Sequence, residues 1–469
     1  MNEQRARPER PSTHAKALRI NIDAAKYGTF AEIGAGLEVA RWFFRVGGAA
    51  GTVARAISAY DTAMSDQIYG SAERYVSRQR LQAMLEREYA ALLQTLGSTR
   101  GDRSAFFVLA DTVATRSYSY HQDGQGWLGI RFQDRPGAEP SEVLIHVYLF
   151  DGDAAREQEA LGIVGVNLAY GAFYHHAEPA ELVASLLDGL ERERVEIDMV
   201  KVTGPAFAGF DPRLASLRLV ELGYTEAVML AADGEVVQPS EVLYKRPLLV
   251  ERGTFRPPTK VTLDLLARAR ERFLHELDVG AREPAVLLEM TLRSLSDDRG
   301  VDHRDFLDRA EILHALGHPV LVSRSQANYA LVETLSRYLP PRIGIALGIP
   351  TLRAVMSDDY ENLAGGRLEA IGRLFKNATK LYVYPTLDAD PGRLVTVEDM
   401  PIARDMQHLY RHLLDNQRIE GLAGDPSLLQ IRTADILARL QRGDSTWEAA
   451  VPEPVAAIIK ARGLFGSRL

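Results

Sequence analysis

Acidic side chains at the ends of short apolar runs are the residues here best suited to chemistry. Val143–Phe150 reads as a strand, and Asp151-Gly152-Asp153 follows it at once. Sites in α/β proteins gather beyond the carboxyl ends of strands, where carboxylates can hold a divalent cation or accept a phosphoryl group. Asp151 and Asp153 are therefore the expected metal ligands, with Mg2+ the expected ion. Asp111 and Glu32 join them as candidates for metal binding or acid/base catalysis. Asp-Gly is equally an ordinary turn, and that alternative stays open.

Three segments could hold an anion. The first is 26–70, where Gly34, Gly36, Gly47, Gly48 and Gly51 surround an apolar helix candidate, with Lys26, Arg41 and Arg45 nearby. Glycines ahead of a helix let backbone N–H groups approach a phosphate. Val39 stands where a dinucleotide fingerprint has its third glycine, and no clear strand precedes Gly34. Small residues that allow close helix packing explain the same letters. The second segment is Gly126–Gln133, in which Trp127 and Arg131 suit a flat ring beside an anionic group; Asp111, Arg116 and His121 precede it. An edge strand with a surface arginine is the alternative. The third is 244–260, a proline-stiffened loop holding Lys245, Arg246, Arg252, Arg256 and Lys260. Arginine offers two parallel donors to phosphate or carboxylate. A solvated linker would have similar composition, but Gly253-Thr254-Phe255 is unusual for a spacer.

Histidine pairs add little. His314 and His318, and His408 and His412, are spaced to share a helix face, but no Glu follows the first member of either pair, as a zinc protease requires. The adjacent pair His175-His176 has no third ligand at a suitable spacing. Cysteine is absent, which removes thiolate nucleophiles, disulfides and Cys-type metal sites. No P-loop, nucleophile elbow or kinase signature is present.

Helices and strands must position these groups. Residues 1–19 carry Arg5, Arg7, Arg10, Lys16 and Arg19 without an apolar segment, and read as a disordered basic tail rather than a secretory signal. Residues 20–100 read as helical, with Leu81, Met84, Leu85, Tyr89, Leu92, Leu93 and Leu96 on one stripe. Strand-like runs separated by helices fill 101–280 and recur more regularly over 281–400, a second α/β domain or a continuation of the first. Residues 401–469 return to helix. Short apolar strands alternating with amphipathic helices predict an α/β fold of mainly parallel sheets covered by helices, flanked by helical N-terminal and C-terminal regions.

At 469 residues, with 55 basic and 63 acidic side chains and a net charge of −8, the chain can bury more than one core and has no overall attraction for nucleic acid. No run reaches the roughly 18–20 apolar residues of a membrane helix. A cytoplasmic location and no membrane partner are expected.

Several runs resemble a bacterial family of about this length. They are Lys26–Gly36, Ser58–Asp61, Gly126–Gln133, Glu159–Asn167, Arg252–Arg256, Gly365–Glu369 and Gly372–Phe375, and the likeness extends from Lys26 to Phe465. Members of that family carry the labels nicotinate-nucleotide adenylyltransferase and TonB-dependent receptor. The receptor label conflicts with the lack of a signal segment or barrel pattern. The adenylyltransferase label implies a Gly-x-x-x-His-x-Gly-His run, which the chain lacks, so the resemblance implies an α/β cytoplasmic protein and transfers no catalytic residue. Phe150–Ala154 is also faintly similar to the haloacid-dehalogenase phosphatase motif, without its following Thr or Val.

The expected function is an enzyme acting on a phosphorylated or nucleotide-like small molecule by nucleotidyl or phosphoryl transfer or by hydrolysis. Lys26, Gly34, Gly36, Arg41, Trp127, Arg131, Lys245, Arg252 and Arg256 would bind the anionic ligand, and Asp151, Asp153, Asp111 or Glu32 would supply chemistry. The alternative is a non-catalytic ligand-binding or scaffold protein that forms homo-oligomers through its N-terminal helices.

Overall fold

A computed structural model describes residues 10–116, 123–277, 280–388 and 392–467. The chain divides into two compact units, Met1–Thr225 and Glu226–Leu469. That division falls inside the 101–280 segment, where the alternating texture gives no sign of it.

The first unit is built on a six-stranded sheet in the order β2-β1-β3-β4-β5-β6. Its strands are β1 (Lys26–Ile33), β2 (Val53–Ile57), β3 (Ala105–Ala114), β4 (Gly124–Phe132), β5 (Ser141–Leu149) and β6 (Val195–Thr203). β2, β1 and β3 are parallel, whereas β3 to β6 alternate in direction. Helices α1 (Thr13–Asn21), α2 (Glu38–Arg45), α3 (Thr62–Tyr69), α4 (Arg78–Arg100), α5 (Ala154–Tyr174), α6 (Pro179–Ser185) and α7 (Pro212–Leu222) complete the unit. The rings of Phe30, Phe43, Phe107, Phe132 and Phe173 meet in its core at centroid separations of 4.8–6.1 Å.

The second unit carries an eight-stranded sheet in the order β18-β15-β14-β9-β10-β13-β7-β8. Its strands are β7 (Ala227–Leu230), β8 (Val236–Val237), β9 (Leu248–Arg252), β10 (Ala285–Thr291), β13 (Val320–Ser323), β14 (Ile343–Gly348), β15 (Thr379–Tyr384) and β18 (Ile419–Gly421). Two small hairpins, β11 (Ser296–Asp297) with β12 (Gly300–Val301) and β16 (Thr386–Leu387) with β17 (Leu394–Val395), stand outside it. The six strands from β18 to β13 are parallel, and β7 and β8 are antiparallel to their neighbours. The chain steps outward from β9 to β10 to β13, then returns to lay β14 on the other flank of β9. Helices α9 (Lys260–His275), α10 (His303–Ala315), α11 (Asn328–Ser336), α12 (Ile349–Ser357), α13 (Gly366–Leu374) and α14 (Gln407–Asp415) make the crossovers; the short α8 (Pro239–Leu243) precedes β9. Leu331 and Leu335 of α11 and Leu352 of α12 pack on Val250, Leu321 and Ile345. The last helices, α15 (Thr433–Arg442) and α16 (Glu453–Arg462), gather with fully buried Trp447 against Ile312 of α10.

Three expectations need correction. The sheets are mixed, not mainly parallel. The 115–123 and 133–140 connections are too short for a crossover, which needs roughly a dozen residues, so the strands they join must run antiparallel. Residues 20–100 also contain two strands. β1 is almost entirely buried, so it lacks the alternation that marks a half-buried strand. Within the supposed basic tail, residues 13–19 belong to α1, and Lys16, 1% exposed, bonds Asn167 and Asp188 at 2.8 and 2.6 Å.

Candidate functional site

In the first unit, pairing of β1 with β3 sets Glu32 beside Asp111. Both are fully buried. The two oxygens of Glu32 accept the N–H groups of Val39 and Ala40 at 2.8 and 2.9 Å, capping α2, whose Leu37 cap position supplies no side-chain bond. Neither Asp111 oxygen has a well-formed hydrogen bond, and the backbone at Ile33 exerts only an opposing pull. Burial pushes Glu32 up to about 7 against the effect of its N–H bonds. Burial and the Glu32 charge push Asp111 well above the carboxylate range. At neutral pH such a pair is expected to keep a proton rather than carry two charges.

Gly34 and Gly36, with φ of 102° and 86°, turn the chain from β1 into α2. A Cβ at Gly34 would stand 1.8 Å from the Val113 carbonyl oxygen, so only glycine lets that loop lie against β3. Lys26 is at the other end of β1, seven residues or about 23 Å from Ile33. It lies 5.0 Å from the Phe173 ring centroid and does not join the Gly34–Gly36 turn. Arg41 points outward and pairs with Glu38 at 3.3 Å.

The remaining sequence candidates in this unit have structural partners. Asp153 caps α5 through the Arg156 N–H at 3.0 Å. Asp151 is gripped by Arg194 Nε, 2.9 Å from each oxygen, and lies 3.3 Å from Arg156. Among the described residues no group of three or more His, Asp or Glu could share a metal ion. Trp127 is 3% exposed and packs edge-on to His146, whose ring bonds Asp198 and Gln125 at 2.7 and 2.9 Å. Arg131 pairs with Glu142 at 3.2 Å and lies over the Tyr89 ring. His121 lies outside the described residues.

In the second unit, the predicted basic loop is split across β9. Lys245 precedes the strand, with its ammonium 5.0 Å from the Tyr244 ring centroid, while Arg252 closes it. Arg252 clamps Glu289 of β10 at 2.6 and 3.2 Å and donates to the carbonyls of Ser325 and Gln326 at 2.7 and 3.0 Å. Arg256 stands 2.7 Å from Asp305, a charge contact without hydrogen-bond alignment, and Arg309 pairs with the same carboxylate.

Sequence reasoning missed one large feature of this unit. A cavity of about 1420 Å³ opens over the carboxyl ends of β9, β10, β13 and β14, spanning the reversal of strand order. Arg252, Arg293 and Arg324 line it, together with the first turn of α11. The Ala327 cap position of α11 supplies no side-chain bond. Asn328, 8% exposed, lines the cavity with its Oδ1 unpartnered. Arg293 is exposed and Arg324 pairs with Glu226 at 3.6 Å. The only signal was positional, since Ser323–Asn328 leads from an apolar run into a helix.

No family model and no curated protein matches the chain. Solved structures with some likeness include the competence/damage-inducible protein CihA of Agrobacterium tumefaciens, with 16% identity and a TM-score of 0.25, covering 35% of this chain and 97% of that one. A CinA superfamily protein of Enterobacter cloacae has 16% identity and a TM-score of 0.25, covering 37% and 98%. One of Escherichia coli has 15% identity and a TM-score of 0.23, covering 36% and 96%. Likeness at this level carries no argument about function. The expected family labels are corrected: no family model or curated protein matches the chain, and neither the adenylyltransferase nor the TonB-receptor label appears among these structures.

Proposed function

We propose that residues 226–469 bind a phosphorylated or nucleotide-like small molecule in the crevice over the carboxyl ends of β9, β10, β13 and β14. The observation that carries this reading is the convergence of an uncapped helix N-terminus with Arg293 and Arg324 on one large cavity at a reversal of strand order. The first N–H groups of a helix lack intrahelical partners and favour an anion, and arginine supplies the matching charge. Open α/β sheets hold ligands at this place.

Binding without turnover fits the crevice better than group transfer or hydrolysis. Its carboxylates, Glu226, Glu333, Asp358, Asp359 and Glu361, are all exposed. General acids and bases are tuned by enclosure, which these lack.

Melting curves of the full chain with AMP, ADP, ribose 5-phosphate and inorganic phosphate test the proposal. A ligand at a hundred times its Kd stabilises the folded protein by about 2.7 kcal/mol. At least one phosphorylated compound should raise Tm, and the doubly substituted Arg293→Ala/Arg324→Ala protein should lose the shift. No shift at millimolar concentration, or a shift that persists in the double variant, overturns the reading.

A further inference from the structure

A doubly wound sheet that holds a dinucleotide uses three features beside the strand where the order reverses. They are a glycine loop open to the pyrophosphate, a helix N-terminus behind it, and a carboxylate on the next strand for the ribose hydroxyls. The equivalent places here are the loop after β9, the start of α9, and Glu289 of β10.

All three are closed. Phe255, 3% exposed and in a left-handed backbone conformation with φ of 49°, folds its ring back on Gly253. A single Cβ added at Gly253 would already lie 2.8 Å from that ring, so a phosphate has no room. Arg309 donates to the Thr254 carbonyl at 2.9 Å and holds the loop in place. Pro257 and Pro258 offer no N–H ahead of α9, and the N–H of Thr259 is bonded to Thr262 Oγ1 at 3.2 Å. Glu289 is engaged by Arg252 at 2.6 Å and by the Ser323 hydroxyl at 2.5 Å. The start of α11, by contrast, lines the cavity, and its first N–H groups have no side-chain cap.

We infer that the crevice takes a single phosphate ester, seated at the first turn of α11 near Arg293, and excludes pyrophosphate-bridged dinucleotides because Phe255 fills the loop they would need. This specificity rests on the crevice reading above.

Titration calorimetry of the full chain with AMP, ribose 5-phosphate, inorganic phosphate and NAD+ tests it. A monoester should bind at least about tenfold more tightly than NAD+ and weaken by about tenfold or more in Arg293→Glu. Binding of AMP alone supports a mononucleotide, and binding of both esters supports the phosphate ester as the recognised unit. NAD+ binding as tightly as the best monoester overturns the inference and leaves the crevice reading standing. No binding by any of the four compounds, or binding indifferent to Arg293→Glu, overturns the crevice reading itself. Phe255→Gly provides a second arm: opening the loop should strengthen NAD+ binding about fivefold or more, and Phe255→Leu, which keeps it filled, should not. Equal NAD+ affinity in a folded Phe255→Gly protein and the parent overturns the role of the ring.

Discussion

Replacing Asp111 with Asn should flatten the pH dependence of stability. In the unfolded chain Glu32 and Asp111 titrate near 4.5 and 3.8, while in the folded protein Glu32 holds its proton to about 7 and Asp111 is also raised. Between those limits the folded state binds more protons than the unfolded state, so stability falls as pH rises. For Glu32 alone, the change from 4.5 to about 7 corresponds to a loss on the order of 3 kcal/mol, nearly all of it below pH 7. Asp111→Asn removes both the Asp111 titration and the charge that faces Glu32. At pH 5 an amide replaces a protonated acid of similar shape, and the two proteins should agree to within about 1 kcal/mol. At pH 8 the variant should be the more stable, by roughly 1–3 kcal/mol. Urea unfolding at pH 5, 6.5 and 8 reads this out by fluorescence. In a Trp447→Phe background the signal comes from Trp42 and Trp127, both in the first unit. Parallel pH profiles for parent and variant, or a parent stability that rises from pH 5 to 8, would refute the buried-pair argument.

Other substitutions probe single contacts. Arg252→Ala leaves the fully buried Glu289 carboxylate without its main partner and should cost about 3–5 kcal/mol in denaturant unfolding; adding Glu289→Gln should restore part of that loss. Gly34→Ala sets a methyl group against the Val113 carbonyl and should cost more than about 2 kcal/mol, whereas Gly36→Ala meets open space and should cost about 1 kcal/mol. A reversed order in the two melting temperatures would contradict the loop geometry. Asp153→Ala removes the α5 cap and should cost about 1 kcal/mol without altering ligand-induced melting shifts.

The α/β character was legible because it depends on local patterns. The apolar runs at 285–290 and 319–323, and the helices after them, stand close to where the structure has them. Strand direction was not legible, since it depends on which edge each strand joins and on connections whose length matters more than their composition. β1 was hidden by its burial on both faces. The carboxylates at 32 and 111 were named from their types alone, and only the parallel pairing of β1 with β3 makes them neighbours. The cationic candidates fared differently. A sequence displays every arginine as equally available, whereas folding gives Arg131, Arg252 and Arg256 carboxylate partners close by.

What marks a place in this fold for a ligand is therefore unmet bonding capacity rather than charge. Four of the cations that suggested an anion site, Arg41, Arg131, Arg252 and Arg256, are matched by carboxylates, in a chain with 55 basic and 63 acidic side chains. A buried polar group left unpaired costs roughly 1–3 kcal/mol, which folding alone gives no reason to retain. Asp111 and Asn328 are among the residues that carry that cost, and Asn328 lines the cavity, with an Oδ1 that can accept from a ligand. The uncapped start of α11 adds free N–H donors at the same place. If an anion occupies the crevice, it satisfies the N–H groups of α11 at once. Replacing Ala327 with Asp tests this reasoning directly: a built-in carboxylate cap should stabilise the empty protein by about 1 kcal/mol and weaken phosphate binding in parallel. Stabilisation with phosphate binding intact would show that α11 does not face the bound anion.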